Sequence, residues 1–130
     1  MKDAARDALV SRLSDYECVV EVGIGRRVGL ARALAATGTA VTATDIRARA
    51  VPDGVTFVRD DVTDPRRGLY ADADVIYAQN LPPELHRPAR DLARSVDADF
   101  LFTTLGGDQP TVPVSRETIP GDTLFRAERA

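Results

Sequence analysis

The sequence predicts an α/β fold: a single doubly wound, mostly parallel sheet covered by helices. Three observations carry that expectation. Short apolar runs alternate with helix-spaced segments along most of the 130 residues. The runs are apolar on successive positions, as strands buried on both faces require. They end on glycines, carboxylates or amides, the residue types suited to the carboxyl-end edge where such sheets hold ligands.

Each element has its own justification. Ala5, Ala8, Leu9 and Leu13 recur at helical spacing, so residues 1–14 form an N-terminal helix ending at Ser14-Asp15. Val19, Val20 and Val22 make the first strand, with Cys18 expected as a small core residue. Gly23 and Gly25 allow a sharp turn and a close ligand approach. Val28, Ala31, Leu34 and Ala35 predict a helix beginning just after that turn, with Arg26 and Arg27 at its start and Gly38 as its cap. Ala40, Val41 and Ala43 carry the second strand, which ends at Asp45.

After the Pro52-Asp53-Gly54 turn, Val55–Val58 reads as the third strand, ending at Asp60-Asp61. Asp64 and Pro65 suit the cap and first position of a short helix. Val75–Ala78 is the fourth strand, ending at Gln79-Asn80. Leu85, Ala89, Leu92, Ala93 and Val96 then predict a helix after Pro82-Pro83. Phe100–Thr103 is the fifth strand, before Gly106-Gly107-Asp108. Residues 109–130 read as an irregular tail, with one further strand near Leu124–Ala127. The whole, 1–130, is expected to be one domain with its core at 18–108.

Composition excludes several classes. The chain is 44% hydrophobic and 28% charged, ordinary for a globular protein. Its net charge of −3 argues against a surface that coats nucleic acid. One cysteine excludes an internal disulfide and a cysteine metal cluster, and no metal-ligand spacing stands out. No apolar run reaches membrane-spanning length and no secretory core opens the sequence, so a cytoplasmic location is expected. Basic residues are arginine apart from Lys2, and 15 of the 20 acids are aspartate, a usage compatible with a GC-rich or salt-adapted source.

The stretch Cys18–Asp45 is a strand–turn–helix–strand unit with an acid 22 positions after Gly23, where a ribose hydroxyl pair is held in such units. A nucleoside ligand follows. A dinucleotide fingerprint needs glycine or alanine where Val28 stands, and a phosphate-binding P-loop needs a lysine that is absent. What stands here is Glu21-x-Gly23-x-Gly25. It resembles the first motif of class I S-adenosylmethionine-dependent methyltransferases, although Arg27 takes the place of a further glycine. The resemblance implies a Rossmann-like, methyltransferase-like fold, S-adenosylmethionine as cofactor, Asp45 as the ribose acid, and Asp60 or Asp61 at the adenine amino group. Asn80-Leu-Pro-Pro is similar to the amine-binding motif of amino-group methyltransferases, with Leu81 inserted and Glu84 in place of the aromatic. That makes Asn80 the candidate catalytic residue; a rigid strand-to-helix turn is the plainer reading of the same segment. The pattern as a whole also resembles small archaeal proteins of uncharacterised function.

Plainer readings stand beside these. Glu21 is either a ligand-side carboxylate or a strand-end acid capping backbone donors. Asp60 and Asp61 face opposite ways and suit a simple turn. His86, the sole histidine, reads as a solvated residue early in its helix. Arg26 and Arg27 are either neutralised by Glu21 or Asp45, or wait for an anion such as a methionyl carboxylate or a phosphate. The implied function is a cofactor-binding, methyltransferase-like protein. The alternative is a non-catalytic nucleotide-binding or regulatory module on the same frame, with NAD or another nucleotide disfavoured by Val28.

Overall fold

Alternation along β1 (Cys18–Val22) sets the layers. Val20 and Val22 enter one apolar cluster, with Ile76, Ala78, Phe100 and Phe102; Val19 enters the other, with Val41, Ala43, Val75, Tyr77 and Leu101. The computed structural model describes residues 3–129. In it β1 is followed by β2 (Ala40–Asp45), β3 (Val55–Arg59), β4 (Val75–Ala78), β5 (Asp99–Phe102), β6 (Val114–Ile119) and β7 (Asp122–Ala127). All seven join one sheet in the order β3-β2-β1-β4-β5-β7-β6. The first five pair in parallel, while β7 runs antiparallel to β5 and β6 antiparallel to β7.

Helices α1 (Asp3–Leu13) and α2 (Gly29–Ala36) cover one face with Leu9, Leu13, Leu30, Ala31 and Leu34. Helix α3 (Pro83–Ser95) covers the other with Ala89, Leu92 and Ala93. Arg12 on α1 reaches both carboxylate oxygens of Glu117 on β6, at 2.9 and 3.2 Å, fastening the first helix to the far edge of the sheet.

The structure departs from the sequence expectations at five places. Helix α2 starts at Gly29, so Arg26 and Arg27 belong to the connecting turn. Ile24 is buried against the α1–α2 face and the Arg27 N–H closes a turn onto its carbonyl at 3.3 Å, which delays the helix. The helix expected from Asp64 is a 3-10 turn over Arg67–Tyr70. Asp60, three residues beyond the reach of a local cap, accepts the Arg66 N–H and the Tyr70 hydroxyl and fixes its start.

The expected irregular tail instead forms the β6–β7 hairpin. Ile119 pairs with Asp122, leaving Pro120-Gly121 as the turn with Gly121 at φ 74°. Strand β6 is a largely exposed edge, so it lacks the apolar run that marks a buried strand. Cys18 is half-buried at the mouth of β1, outside both core clusters, because the strand begins there.

His86 is fully buried, not solvated. Its Nδ1 accepts the Thr111 N–H at 3.2 Å, so Nε2 carries the proton and donates to the Leu81 carbonyl at 2.9 Å. The ring packs 4.6 Å from that of Phe102, in the layer between α3 and β5.

Candidate functional site

The strand order reverses direction between β1 and β4, and a ligand crevice opens at such a switch point beyond the carboxyl ends of the strands. Register brings the right residues there. Val22 lies opposite Thr44 on β2 and Ala78 on β4, so Gly23, Asp45 and Gln79 leave the sheet side by side.

The glycine turn is stapled to the end of β2. The N–H groups of Gly23 and Ile24 both donate to the Thr44 carbonyl, at 2.9 and 3.1 Å. Gly23 and Gly25 adopt φ of 69° and 58°, the left-handed region that disfavours side chains. The Gly25 N–H donates to Asp45 Oδ2 at 2.8 Å, and the Arg47 N–H to Oδ1 at 3.0 Å. Arg49 Nε stands 3.5 Å from the same carboxylate, an ion pair without a formed hydrogen bond.

Two cavities adjoin along this edge and share Gly23, Gln79 and Asn80 in their walls. The smaller, about 220 Å³, is bounded by Val22, Thr44, Asp45, Asp60, Val62 and Leu81 among others. The larger, about 510 Å³, is bounded by Gly25, Arg26, Arg27, Arg47, Arg49 and Leu105. Asn80 at their boundary has φ 52°, a conformation asparagine tolerates better than most residues. Its N–H donates to Thr103 Oγ1 at 2.9 Å, and the Leu81 N–H to the Thr103 carbonyl at 2.9 Å, so β5 holds this turn in place.

The acids separate into distinct environments. Glu21 is 2% exposed, and neither carboxyl oxygen has a hydrogen-bond partner among the described residues. The capping role is therefore absent, and desolvation pushes the carboxyl up to about 8. Its cross-strand neighbour Tyr77 has a buried hydroxyl beside Thr103 without forming a hydrogen bond; burial, then the proximity of Glu21, raises it well above the usual phenol value.

Asp60 lines the smaller cavity with its carboxylate anchored by Tyr70 at 2.6 Å and Arg66 at 3.2 Å. Asp61 is exposed, accepts the Thr63 N–H and hydroxyl at 2.9 and 2.7 Å, and has its acidity strengthened by them. It does not join the cavity wall.

The structure thus assembles Gly23, Gly25, Asp45, Asp60 and Asn80 around one crevice, sets Glu21 at the carboxyl end of β1, and leaves Asp61 outside the lining. Sequence reasoning missed Arg47, Arg49, Gln79 and Leu105. Arg47 and Arg49 follow directly on Asp45 at a strand end, which was the available signal. Neither Glu21 nor Asp45 neutralises Arg26 or Arg27: among the described residues Asp45 pairs with Arg49 and Glu21 pairs with nothing. Among the described residues no group of three or more metal-ligating side chains converges, and no helix is long and apolar enough to cross a membrane.

Strand order, switch point and glycine turn together define a Rossmann-like, methyltransferase-like α/β fold. Solved structures agree. An RNA methyltransferase from Salinibacter ruber, in complex with S-adenosyl-L-homocysteine, superposes with a TM-score of 0.70 at 16% identity, covering 98% of this chain and 91% of that one. A TehB-like SAM-dependent methyltransferase from Corynebacterium glutamicum does so with a TM-score of 0.63 at 13% identity, over 96% and 86%. At such identities the likeness is one of fold.

Family membership comes from closer relatives. The profile of the uncharacterised protein family UPF0146 matches residues 3–130, and the chain belongs to that family. A UPF0146 protein of Halobacterium salinarum is 54% identical over 119 residues, 91% of this chain and 92% of its own. One from Archaeoglobus fulgidus is 46% identical over 90 residues, 69% of each chain.

Proposed function

We propose that the protein binds S-adenosylmethionine at the switch point and presents it to an acceptor in the larger cavity. The observation that carries this reading is the meeting of Gly23, Asp45 and Asn80 around two adjoining cavities. The residues present fit the cofactor. A Cβ built on Gly23 meets nothing within 4 Å, so the turn offers open space against bare backbone. A carboxylate has about four lone-pair sites; the Gly25 and Arg47 N–H groups take two at Asp45, which leaves acceptors for two ribose hydroxyls.

The smaller cavity, walled partly by Val22, Val62, Leu81 and Leu85, suits a purine, with Asp60 in place of Asp61 as the partner of its amino group. Arg26 or Arg27 would take the methionyl carboxylate; Glu21, buried and outside the lining of both cavities, would reach the methionyl ammonium only by turning out of the sheet. Bound there, S-adenosylmethionine would supply an electrophilic methyl to an acceptor lone pair, with the C–S pair returning to sulfur and the acceptor's proton leaving to solvent. Asn80 would orient the acceptor, since in-line displacement asks for alignment more than for acid–base catalysis.

A non-catalytic module on the same frame would bind the cofactor equally well. The roughly 510 Å³ cavity beside the cofactor chamber, well within the size of small-molecule sites, favours transfer to an acceptor. Calorimetric titration with S-adenosylhomocysteine, NAD and ATP tests the reading. Saturable binding of the first and not the others is expected; preferential binding of NAD or ATP, or of none, rejects it.

A further inference from the structure

The larger cavity carries more positive charge than its cofactor role uses. Arg26 and Arg27 from the glycine turn and Arg47 and Arg49 from the segment after β2 all line it. Arg49 is committed to Asp45. The guanidinium groups of Arg26, Arg27 and Arg47 make no ion pair among the described residues. Acids are not scarce, for they outnumber basic residues 20 to 17. Outside the cleft some arginines are paired: Arg12 with Glu117, Arg66 with Asp60, and Arg126 and Arg129 with Asp99. Others, such as Arg32 and Arg116, also make no ion pair among the described residues. What sets Arg26, Arg27 and Arg47 apart is that they line one cleft. Three unpaired cations therefore face one cleft in a protein that is acidic overall.

On the reading that S-adenosylmethionine binds here, the cofactor does not balance this charge. It brings a sulfonium and an ammonium against a single carboxylate, so it adds one net positive charge. One carboxylate occupies one forked guanidinium well and leaves the others facing a cationic neighbour. A second anion would find two exposed guanidinium groups still open on the cleft wall. A phosphate monoester suits them: up to two negative charges and three acceptor oxygens match the planar donor forks of arginine.

Cavity shape and surroundings favour a small molecule over a polymer strand. The site is a local, open cleft of about 510 Å³, whereas a nucleic-acid track needs a basic stripe continuing across the surface, and the net charge here is −3. Leu105, 64% exposed on the cleft wall, is one of only two large apolar side chains so exposed among the described residues. It offers an apolar surface to the body of a ligand whose phosphate lies on the arginines.

The geometry points to a small phosphate monoester with an apolar or aromatic body as the methyl acceptor, its phosphate held by Arg47 and by whichever of Arg26 and Arg27 the methionyl carboxylate leaves free, and its body set against Leu105. Calorimetry at fixed ionic strength tests this with phenyl phosphate, inorganic phosphate and a single-stranded oligothymidylate octamer, each with and without S-adenosylhomocysteine. The variants are Arg47→Ala, the double variant Arg26→Ala/Arg27→Ala, and Arg32→Ala, an exposed residue of α2 outside the cleft.

Phenyl phosphate should bind the wild type and Arg32→Ala alike, bind more tightly than inorganic phosphate, and weaken about tenfold for each cleft arginine removed, a loss of one charge-assisted contact. No binding, or equal binding by all variants, overturns the proposal. Binding of the octamer more than about tenfold tighter than phenyl phosphate, beyond one contact's worth, replaces the small acceptor with a nucleic acid. Phosphate binding that persists while S-adenosylhomocysteine fails to bind removes the acceptor role and the cofactor reading together, leaving an anion site alone.

Discussion

Replacing Glu21 by glutamine should make the protein more stable at neutral and alkaline pH, and by a large amount. The carboxyl is buried with neither oxygen bonded, and burial lifts it from an ordinary 4.5 to about 8. Between those values the folded chain keeps a proton that the unfolded chain gives up. Stability from this group is thus whole below about pH 4.5 and falls as pH rises towards about 8, then levels off. Each pH unit of that window is worth 1.36 kcal/mol, so the loss reaches about 3–5 kcal/mol. Glutamine keeps the shape and the neutral form but has nothing to lose. Urea unfolding of both proteins from about pH 5 to about pH 9 reads the difference directly. The curves should meet at the acid end and diverge by several kcal/mol at the alkaline end. Parallel curves would show that water or a cation reaches the carboxyl, and the argument from desolvation would fail.

Four other outcomes follow from the geometry. Gly23→Ala forces a side chain into left-handed backbone at a cost of about 1–2 kcal/mol; because its methyl enters open space, S-adenosylhomocysteine affinity should fall far more than thermal stability. Comparable losses in melting and in titration would mean the residue matters only to the fold. His86→Ala empties a fully buried site and strands the Thr111 N–H and Leu81 carbonyl, so it should cost about 3 kcal/mol or more by chemical denaturation; a change below about 1 kcal/mol, the scale of a surface substitution, contradicts the buried placement. Tyr70→Phe removes the hydroxyl at 2.6 Å from Asp60 and should destabilise by about 1–3 kcal/mol, whereas an unchanged midpoint would show that Arg66 alone anchors that carboxylate. Asp45→Ala should lower stability and weaken both S-adenosylhomocysteine and phenyl phosphate, with Asp45→Asn intermediate. A loss of only one ligand would uncouple the two cavities.

The parallel half of the fold was legible because its strands are buried on both faces. Val19-Val20 and Val75-Ile76 must be apolar at successive positions, and that leaves a mark that no solvated segment shares. Gly23, Gly25 and Asp45 were legible for a similar reason: backbone geometry and strand-end position restrict which residues serve there. The hairpin at the far edge left no such mark, since Ser115, Arg116 and Thr118 face solvent from β6. His86 was misread because one of its two partners is remote. Thr111 lies 25 residues on, in a segment with no period of its own, and nothing local to the helix announces that contact. Glu21 showed the opposite difficulty. Its position invited a partner, and only the packed structure reveals that none is supplied. The arginines after Asp45 look like an ordinary charged loop until β1 and β2 set that loop beside the glycine turn.

Asp45 joins these observations into one device. Its Oδ2 holds the Gly25 N–H and so fixes the turn over which a cofactor would lie; its Oδ1 holds the Arg47 N–H and so fixes the start of the loop that carries the free cations. The two donors bond different oxygens of one buried carboxylate whose strand is itself fixed by pairing with β1 and β3. A ribose that takes its remaining lone pairs would therefore immobilise the glycine turn and the arginine loop together. Filling the smaller cavity would in this way set the larger one, so an anion should bind more tightly to the cofactor-loaded protein even though the cofactor adds no contact to it. Because such coupling is reciprocal, the same anion should strengthen cofactor binding by the same factor. Simple charge compensation by the cofactor's carboxylate acts in the opposite sense, since it would occupy an arginine that the anion needs. The sign of the coupling between S-adenosylhomocysteine and phenyl phosphate thus tells ordering by Asp45 apart from competition for Arg26 and Arg27.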